Sequence, residues 1–305
     1  MSARISTFGT AARAAAVAAL AALVLAACGG DDTAETKAGA SPTTSKDTAL
    51  AAMVPAAISS DGTITVGTDS TYAPNEFLAA DGKTVVGFDI DLFNAVAAKL
   101  GLKTKYVSAP FPNLIPSMQS GKYEIGVSSF TINPDRLKVV DMVGYFSAGT
   151  QWATKKGNPS GVLPDNACGK RVAVQKGTVQ VDDITARSKK CESAGKPKIT
   201  IDQYQGQDQA TSSVVSGKDD AMLADSPVAA YAVKQTSGKL ELAGDIYDAA
   251  PYGYAFQKGQ GQFPQAVAGA VNALIQDGSY KTILEKWGVE QGAVTTAQVN
   301  PSVSG

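Results

Sequence analysis

From residue 64 onward, short apolar runs alternate with segments of helical period, and this alternation limits the possible folds more than any other feature of the chain. Ile64-Thr65-Val66 reads as a strand. Residues 89–100 put Ile90, Phe93, Val96, Ala97 and Leu100 on one helical face, with Gly101 as the stop. A strand over 103–107, a short helix over 113–120 and a strand over 125–127 follow. After Trp152 the pattern restarts, with strands over 171–174, 199–201 and 221–224 and helices over 179–191, 208–216 and 226–235. Two further helices, 263–276 and 279–287, end it. Such alternation predicts an α/β fold with parallel-rich sheets covered by helices on both faces. A chain of 305 residues is long enough for two lobes, each with its own core.

An internal echo points to two similar lobes. Ser120-Gly121-Lys122 leads through an apolar run to Ser129, and Ser216-Gly217-Lys218 leads through another to Asp225. Gly67-Thr68 and Gly177-Thr178 correspond in the same way, each after the first strand of its half. All four positions fall at the carboxyl ends of strands, where open α/β sheets bind ligands.

Composition removes several function classes. The chain has no histidine, which excludes a His general base, a Ser-His-Asp triad and His-based metal ligation. A pI of about 5.6 with no basic run argues against nucleic acid as a partner. Nothing calls for a cofactor or metal. The N-terminus reads as residues 1–27 of a signal peptide: Arg4 and Arg13 precede the apolar run 14–27, too short to span a bilayer easily. Leu25-Ala26-Ala27-Cys28-Gly29 resembles a lipobox, which would leave Cys28 as a lipidated first residue on the outer face of the cell membrane. Removing 1–27 takes two arginines and no acids, so the balance becomes 25 − 28 = −3. Residues 28–61 are small and polar with no sustained period and read as a flexible tether. In an exported protein the remaining pair, Cys168 and Cys191, is expected to close into a disulfide, the alternative being two buried free thiols.

The densest chemistry lies in Ser128-Ser129-Phe130-Thr131-Ile132-Asn133-Pro134-Asp135-Arg136. Asn133-Pro134 reads as a helix start, with Asn as the cap and Pro at the first helical position. Arg136 then sits in the first turn beside hydroxyls and free N–H groups, suited to gripping a carboxylate with two parallel hydrogen bonds. An ordinary strand-to-helix turn with a surface arginine is the plainer alternative. The stretch resembles the amino-acid-binding proteins that serve ABC importers (bacterial extracellular solute-binding proteins, family 3), where the segment reads roughly S-[SG]-x-[ST]-x-[TS]-x-x-R. Further matches come in the same order: Gly67-Thr68-Asp69-Ser70-Thr71-Tyr72-Ala73-Pro74, Gly87-Phe88-Asp89-Ile90-Asp91-Leu92, Leu114-Ile115-Pro116-Ser117-Met118-Gln119-Ser120-Gly121-Lys122 and Tyr204-Gln205-Gly206-Gln207-Asp208.

The resemblance implies a two-lobed, type II periplasmic-binding-protein-like fold with the ligand between the lobes. Lobe 1 would comprise 62–151 and 254–291, and lobe 2 152–253, with chain crossings near 149–153 and 251–255. Residues 292–305 would form a loose tail. The implied function is capture of an L-amino acid by hinge closure and delivery to an ABC permease and its ATPase, by a monomer held to the membrane through Cys28. The implied site has Arg136, helped by Thr131, Thr178 and the Val179 N–H, on the α-carboxylate. Asp225 and Ser129 would take the α-ammonium. Asp69, Tyr72, Ser128 and Phe111 would line lobe 1. With Arg136 and Asp225 on the α-groups, Asp69 is left over, which favours a ligand side chain carrying a cation or N–H donor: Lys, Arg, ornithine, His, Gln or cystine rather than Asp, Glu or an aliphatic residue. The chain departs from the family at Asn75, where an aromatic is usual, and this leaves the side-chain pocket open. Two other readings fit the same fold: a cyclohexadienyl-dehydratase-like enzyme with Glu76 as its acid, and a sensory surface lipoprotein.

Overall fold

The structure, a computed structural model, describes residues 45–303. Two short helices come first, α1 (Thr48–Ala51) and α2 (Ala56–Ser59), separated by Pro55. Then follow β1 (Thr63–Thr68), β2 (Thr71–Tyr72), β3 (Glu76–Leu78), β4 (Val85–Val86), α3 (Phe88–Lys99), β5 (Lys103–Ser108), α4 (Phe111–Gln119), β6 (Ile125–Thr131) and α5 (Pro134–Val139). A long strand, β7 (Val140–Lys155), leads into β8 (Arg171–Gln175), α6 (Val179–Ser193), β9 (Thr200–Tyr204), α7 (Gln207–Ser216), β10 (Ala221–Asp225) and α8 (Ser226–Gln235). A second long strand, β11 (Leu240–Gln257), precedes α9 (Phe263–Gln276) and α10 (Ser279–Trp287).

The main sheet runs β5-β1-β6-β11-β7-β10-β8-β9. Its two ends are parallel triplets of the same order, β5-β1-β6 and β9-β8-β10, which is the structural content of the internal echo. Gly121 and Gly217, the glycines of that echo, both adopt left-handed backbone (φ +78° and +80°) just past a helix, where a side chain would be strained. Between the triplets lie β7 and β11, antiparallel to each other; β11 is antiparallel to β6, and β7 to β10. The sheet is therefore mixed rather than purely parallel.

Each half has its own core. Around β1 and β6, Ile64, Val66, Ile125 and Val127 pack with Phe88, Phe93 and Val96 of α3 and Val267, Val271 and Leu274 of α9. Around β8, Val172 and Val174 face one apolar cluster with Trp152, while Ala173 faces another with Met222 and Val214. Burial on both faces explains why these strands read as continuous apolar runs. A disulfide joins Cys168 to Cys191, near the end of α6.

Several expectations change. The signal peptide, Cys28 and the first part of the tether lie outside the described residues. The end of the expected tether is structured: Val54, before Pro55, and Ile58 of α2 are buried in the first core, and Leu50 packs over Gly269. The tail is not loose either. Asn300 Oδ1 accepts from the Met142 N–H at 2.8 Å, and Gly144 N–H donates to Gln298 O at 2.9 Å. The outward edge of β7 needs backbone partners there, and a segment without hydrophobic period supplies them. The strands β2, β3 and β4, a separate small sheet, were too short for the pattern to register. Among the described residues no helix is long and apolar enough to cross a membrane.

Candidate functional site

Four parallel-strand ends converge on one cleft between the halves. Asp69 follows β1, Ser128 and Ser129 lie in β6, Gln175 ends β8 and Asp225 ends β10. Asp69, Tyr72, Phe111, Ser128, Ser129, Thr131, Arg136, Thr178, Val179 and Asp225 all line this cleft, joined by Glu76, Gln175 and Gln180.

Asn133 caps α5 by accepting the Arg136 N–H at 2.8 Å, with Pro134 at the helix start. That cap sends the Arg136 side chain back over β6. Its Nη1 donates to Thr131 O at 2.7 Å and its Nη2 to Gly177 O, in the other half, at 3.2 Å. The guanidinium lies 5.4 Å from the Phe111 ring centre, and Phe111 stacks on Phe130 at 5.0 Å. Burial lowers the Arg136 pKa to about 10, so it stays cationic at neutral pH. Thr178 caps α6 in position but not through its side chain; its hydroxyl donates to Gln175 O, so no side chain caps the first N–H groups of α6, and Val179 lines the cleft.

Asp225 occupies the cap position of α8, yet its carboxylate makes no capping bond. It is held instead by Gln180 Nε2 at 2.8 Å, while its own N–H donates to the Tyr72 hydroxyl at 3.1 Å. Burial raises its pKa, and hydrogen bonding from Tyr252, Tyr72 and Gln180 works the other way.

Asp69 is fully hydrogen-bonded, by neutral donors that bring it no counter-charge. Its Oδ1 accepts from Thr71 N–H (3.1 Å) and Thr71 Oγ1 (2.7 Å); its Oδ2 accepts from Phe111 N–H (2.8 Å) and Gln175 Nε2 (3.0 Å). Four donors fill its lone-pair sites, one of them from the opposite half. A second lobe-1 acid of the cleft, Glu76, has no exposed surface. Its Oε1 accepts from Ser128 Oγ at 3.2 Å and its Oε2 from Ser129 Oγ at 3.0 Å. Ser129 adopts φ +50°, rare for a residue other than glycine, so that its N–H reaches Asp89 Oδ2 (3.1 Å) while its hydroxyl serves Glu76. The Asn75 amide donates to Ser129 Oγ at 2.9 Å, so the position that departs from the family pattern supports this acid rather than stacking on a ligand. Burial raises the proton affinity of Glu76 well above the usual range, with the nearby Asp89 adding to it.

Gln175 and Gln180 were missed as site residues in the sequence, and Glu76 was named only as the acid of the alternative enzyme reading. Gln180 directly follows Val179, whose N–H was already placed at the site, and could have been included; Glu76 lies on a strand of three residues, with no periodicity to show which way it faces. Among the described residues no cluster suits a metal ion.

A profile of the bacterial extracellular solute-binding proteins, family 3, matches residues 64–290. The arginine-binding protein ArgT of Corynebacterium glutamicum is 39% identical over 252 residues, covering 82% of each chain. An ancestral arginine-binding protein bound to arginine superposes with a TM-score of 0.69 at 35% identity, covering 74% of this chain and 98% of its own. The ancestral amino acid-binding protein AncCDT-1, a precursor of cyclohexadienyl dehydratase, gives 0.66 at 35% identity, covering 76% and 97%. These solved folds share the mixed α/β, type II periplasmic-binding-protein architecture described above.

Proposed function

The chain belongs to the bacterial extracellular solute-binding proteins, family 3, and from that premise we propose that it is the amino-acid-binding component of an ABC importer, closing on a basic L-amino acid, arginine foremost, and handing it to a permease. The carrying observation is the charge inventory of the cleft: one guanidinium, Arg136, against Asp69, Glu76 and Asp225. Arg136 and the N-terminal N–H groups of α6 suit an α-carboxylate. Asp225 suits the α-ammonium. Glu76 is then left for a cation on the ligand side chain, and a buried acid without a counter-charge is costly. The arginine-binding relatives support the same choice.

The two lobes, 62–151 with 254–291 and 152–253, would move about the central strands. Cys28 would carry the lipid that holds a monomer at the outer membrane face. A dehydratase role is less supported: Glu76, the acid such chemistry would need, is tied to two serine hydroxyls and to Asp89. The test is a thermal-shift screen of the purified protein against the common amino acids, with product analysis of every stabilising compound. Stabilisation by arginine, lysine or ornithine with the compound recovered unchanged supports the proposal; stabilisation confined to acidic or aliphatic amino acids, or a converted product, contradicts it.

A further inference from the structure

Behind the cleft wall lies a pair of acids with no counter-ion among the described residues. Glu76 and Asp89 are each without exposed surface. None of the ion pairs among the described residues involves either. Asp89 Oδ2 is satisfied by Ser129 N–H and by the Tyr145 hydroxyl at 2.8 Å. Asp89 Oδ1 is buried and has no donor among the described residues, although the Glu76 carboxyl lies beside it. A proton shared by the two acids supplies that missing donor and removes one of two like charges.

The surroundings offer no substitute for it. Facing Glu76 are Asp69 after β1, Tyr72 of β2, and Tyr252 of β11. Facing Asp89 are Tyr106 of β5, Tyr145 of β7 and Tyr254 of β11. All are acids or phenols. Across the cleft, Asp225 is a third carboxylate, and Arg136 is turned to the carbonyls of Thr131 and Gly177. Among the described residues no cation faces Glu76, and the cleft, which Glu76 lines, is the route by which positive charge can reach it.

We propose that Glu76 and Asp89 hold one proton between them and that a cationic ligand side chain entering the cleft expels it to solvent, so that capture of a basic amino acid releases a proton and capture of a neutral one does not. This rests on the reading of the cleft as a site for a basic amino acid. The balance is simple: the ligand brings one positive charge, the acid pair loses one, and the buffer takes the proton. Burial raises both acids, Asp89 to about 7, and the neighbouring Asp89 adds to the rise at Glu76, which keeps the proton in place at neutral pH until a cation arrives. Glu76 thereby becomes a specificity-determining residue whose charge appears only when a cation is there to meet it.

Titration calorimetry of the full-length chain near neutral pH, in phosphate and in Tris, tests this with arginine and glutamine as probes. The apparent arginine heat should differ between buffers by the equivalent of roughly one proton released, and arginine affinity should rise by up to about tenfold per pH unit. Glutamine should show neither effect. Glu76→Gln should abolish the buffer dependence for arginine and weaken arginine more than glutamine. Asp89→Asn, which leaves Glu76 in place and puts an amide donor beside it, should flatten the arginine pH profile. Buffer-independent arginine binding by the wild type overturns the inference alone; so does proton release that persists in both variants. Failure of arginine to bind while another amino acid does overturns the ligand reading and this inference with it.

Discussion

Arg136 and Asp225 face each other across the cleft with different dependencies. Arg136 serves a carboxylate common to every amino acid, so Arg136→Ala should weaken all ligands by about 2–5 kcal/mol, roughly 30-fold to several thousand-fold. Calorimetry giving arginine affinity within about threefold of wild type would remove it from the site. Asp225→Asn should also act on every amino acid, by about 1.5–3 kcal/mol, the range of a hydrogen bond to a charged group; an effect confined to basic ligands would reassign it to the side-chain end. The acid pair carries a pH prediction for stability. The Asp89 carboxyl is raised to about 7 by burial, against about 3.9 in an unfolded chain. A raised folded pKa stabilises below the unfolded value and loses that contribution as pH climbs through the folded one. Urea midpoints should therefore fall between pH 4 and 8 more steeply in wild type than in Asp89→Asn; parallel profiles would contradict it. Much of this site was legible in the sequence because Ser128 to Arg136 compresses a strand end, a cap and a guanidinium into nine residues. The role of Asp69 was not, because two of its four donors, the Phe111 N–H and Gln175, are 42 and 106 residues away.

At the scale of elements, the amphipathic helices and the buried parallel strands were legible from their periods, while β7 and β11 were not. Those strands run 16 and 18 residues; β7 is buried at nearly every position, and β11 is exposed in its middle and buried near its end, so no single period holds along them. Their pairing shifts register between Ala243 and Tyr247 and again before Ala250, and Gly149 lies against Tyr247 O with no room for a Cβ. Gly149→Val should therefore impair folding or closure, seen as a lower melting temperature or weaker binding; a variant like wild type in both would show that the strands accommodate it. The Cys168–Cys191 bond closes a separation of 23 residues. By loss of unfolded-state entropy it should contribute roughly 3 kcal/mol, so the double Ser variant should show a correspondingly lower denaturation midpoint than oxidised wild type. An unchanged midpoint would mean the link contributes nothing to stability.

Over the whole molecule, directional contacts join the two halves, beside a small apolar cluster of Tyr72 with Ala224 and Val228. Gln175 reaches Asp69, the Asp225 N–H reaches Tyr72, and Arg136 reaches Gly177. Outside the cleft, Phe77 lies 6.1 Å from Tyr231 of the other half and 6.0 Å from Trp287. Such contacts bias a hinge without locking it, so that a ligand's differential affinity for the closed form sets the balance. The central claim is that the cleft selects a basic amino acid through an acid held in reserve behind two serines. Competition calorimetry with arginine, lysine, histidine, glutamine, glutamate and leucine on the wild-type protein tests it most directly. The account predicts arginine or lysine binding tightest, glutamine weaker, and glutamate and leucine weakest. Glutamate or leucine binding as tightly as arginine would contradict it.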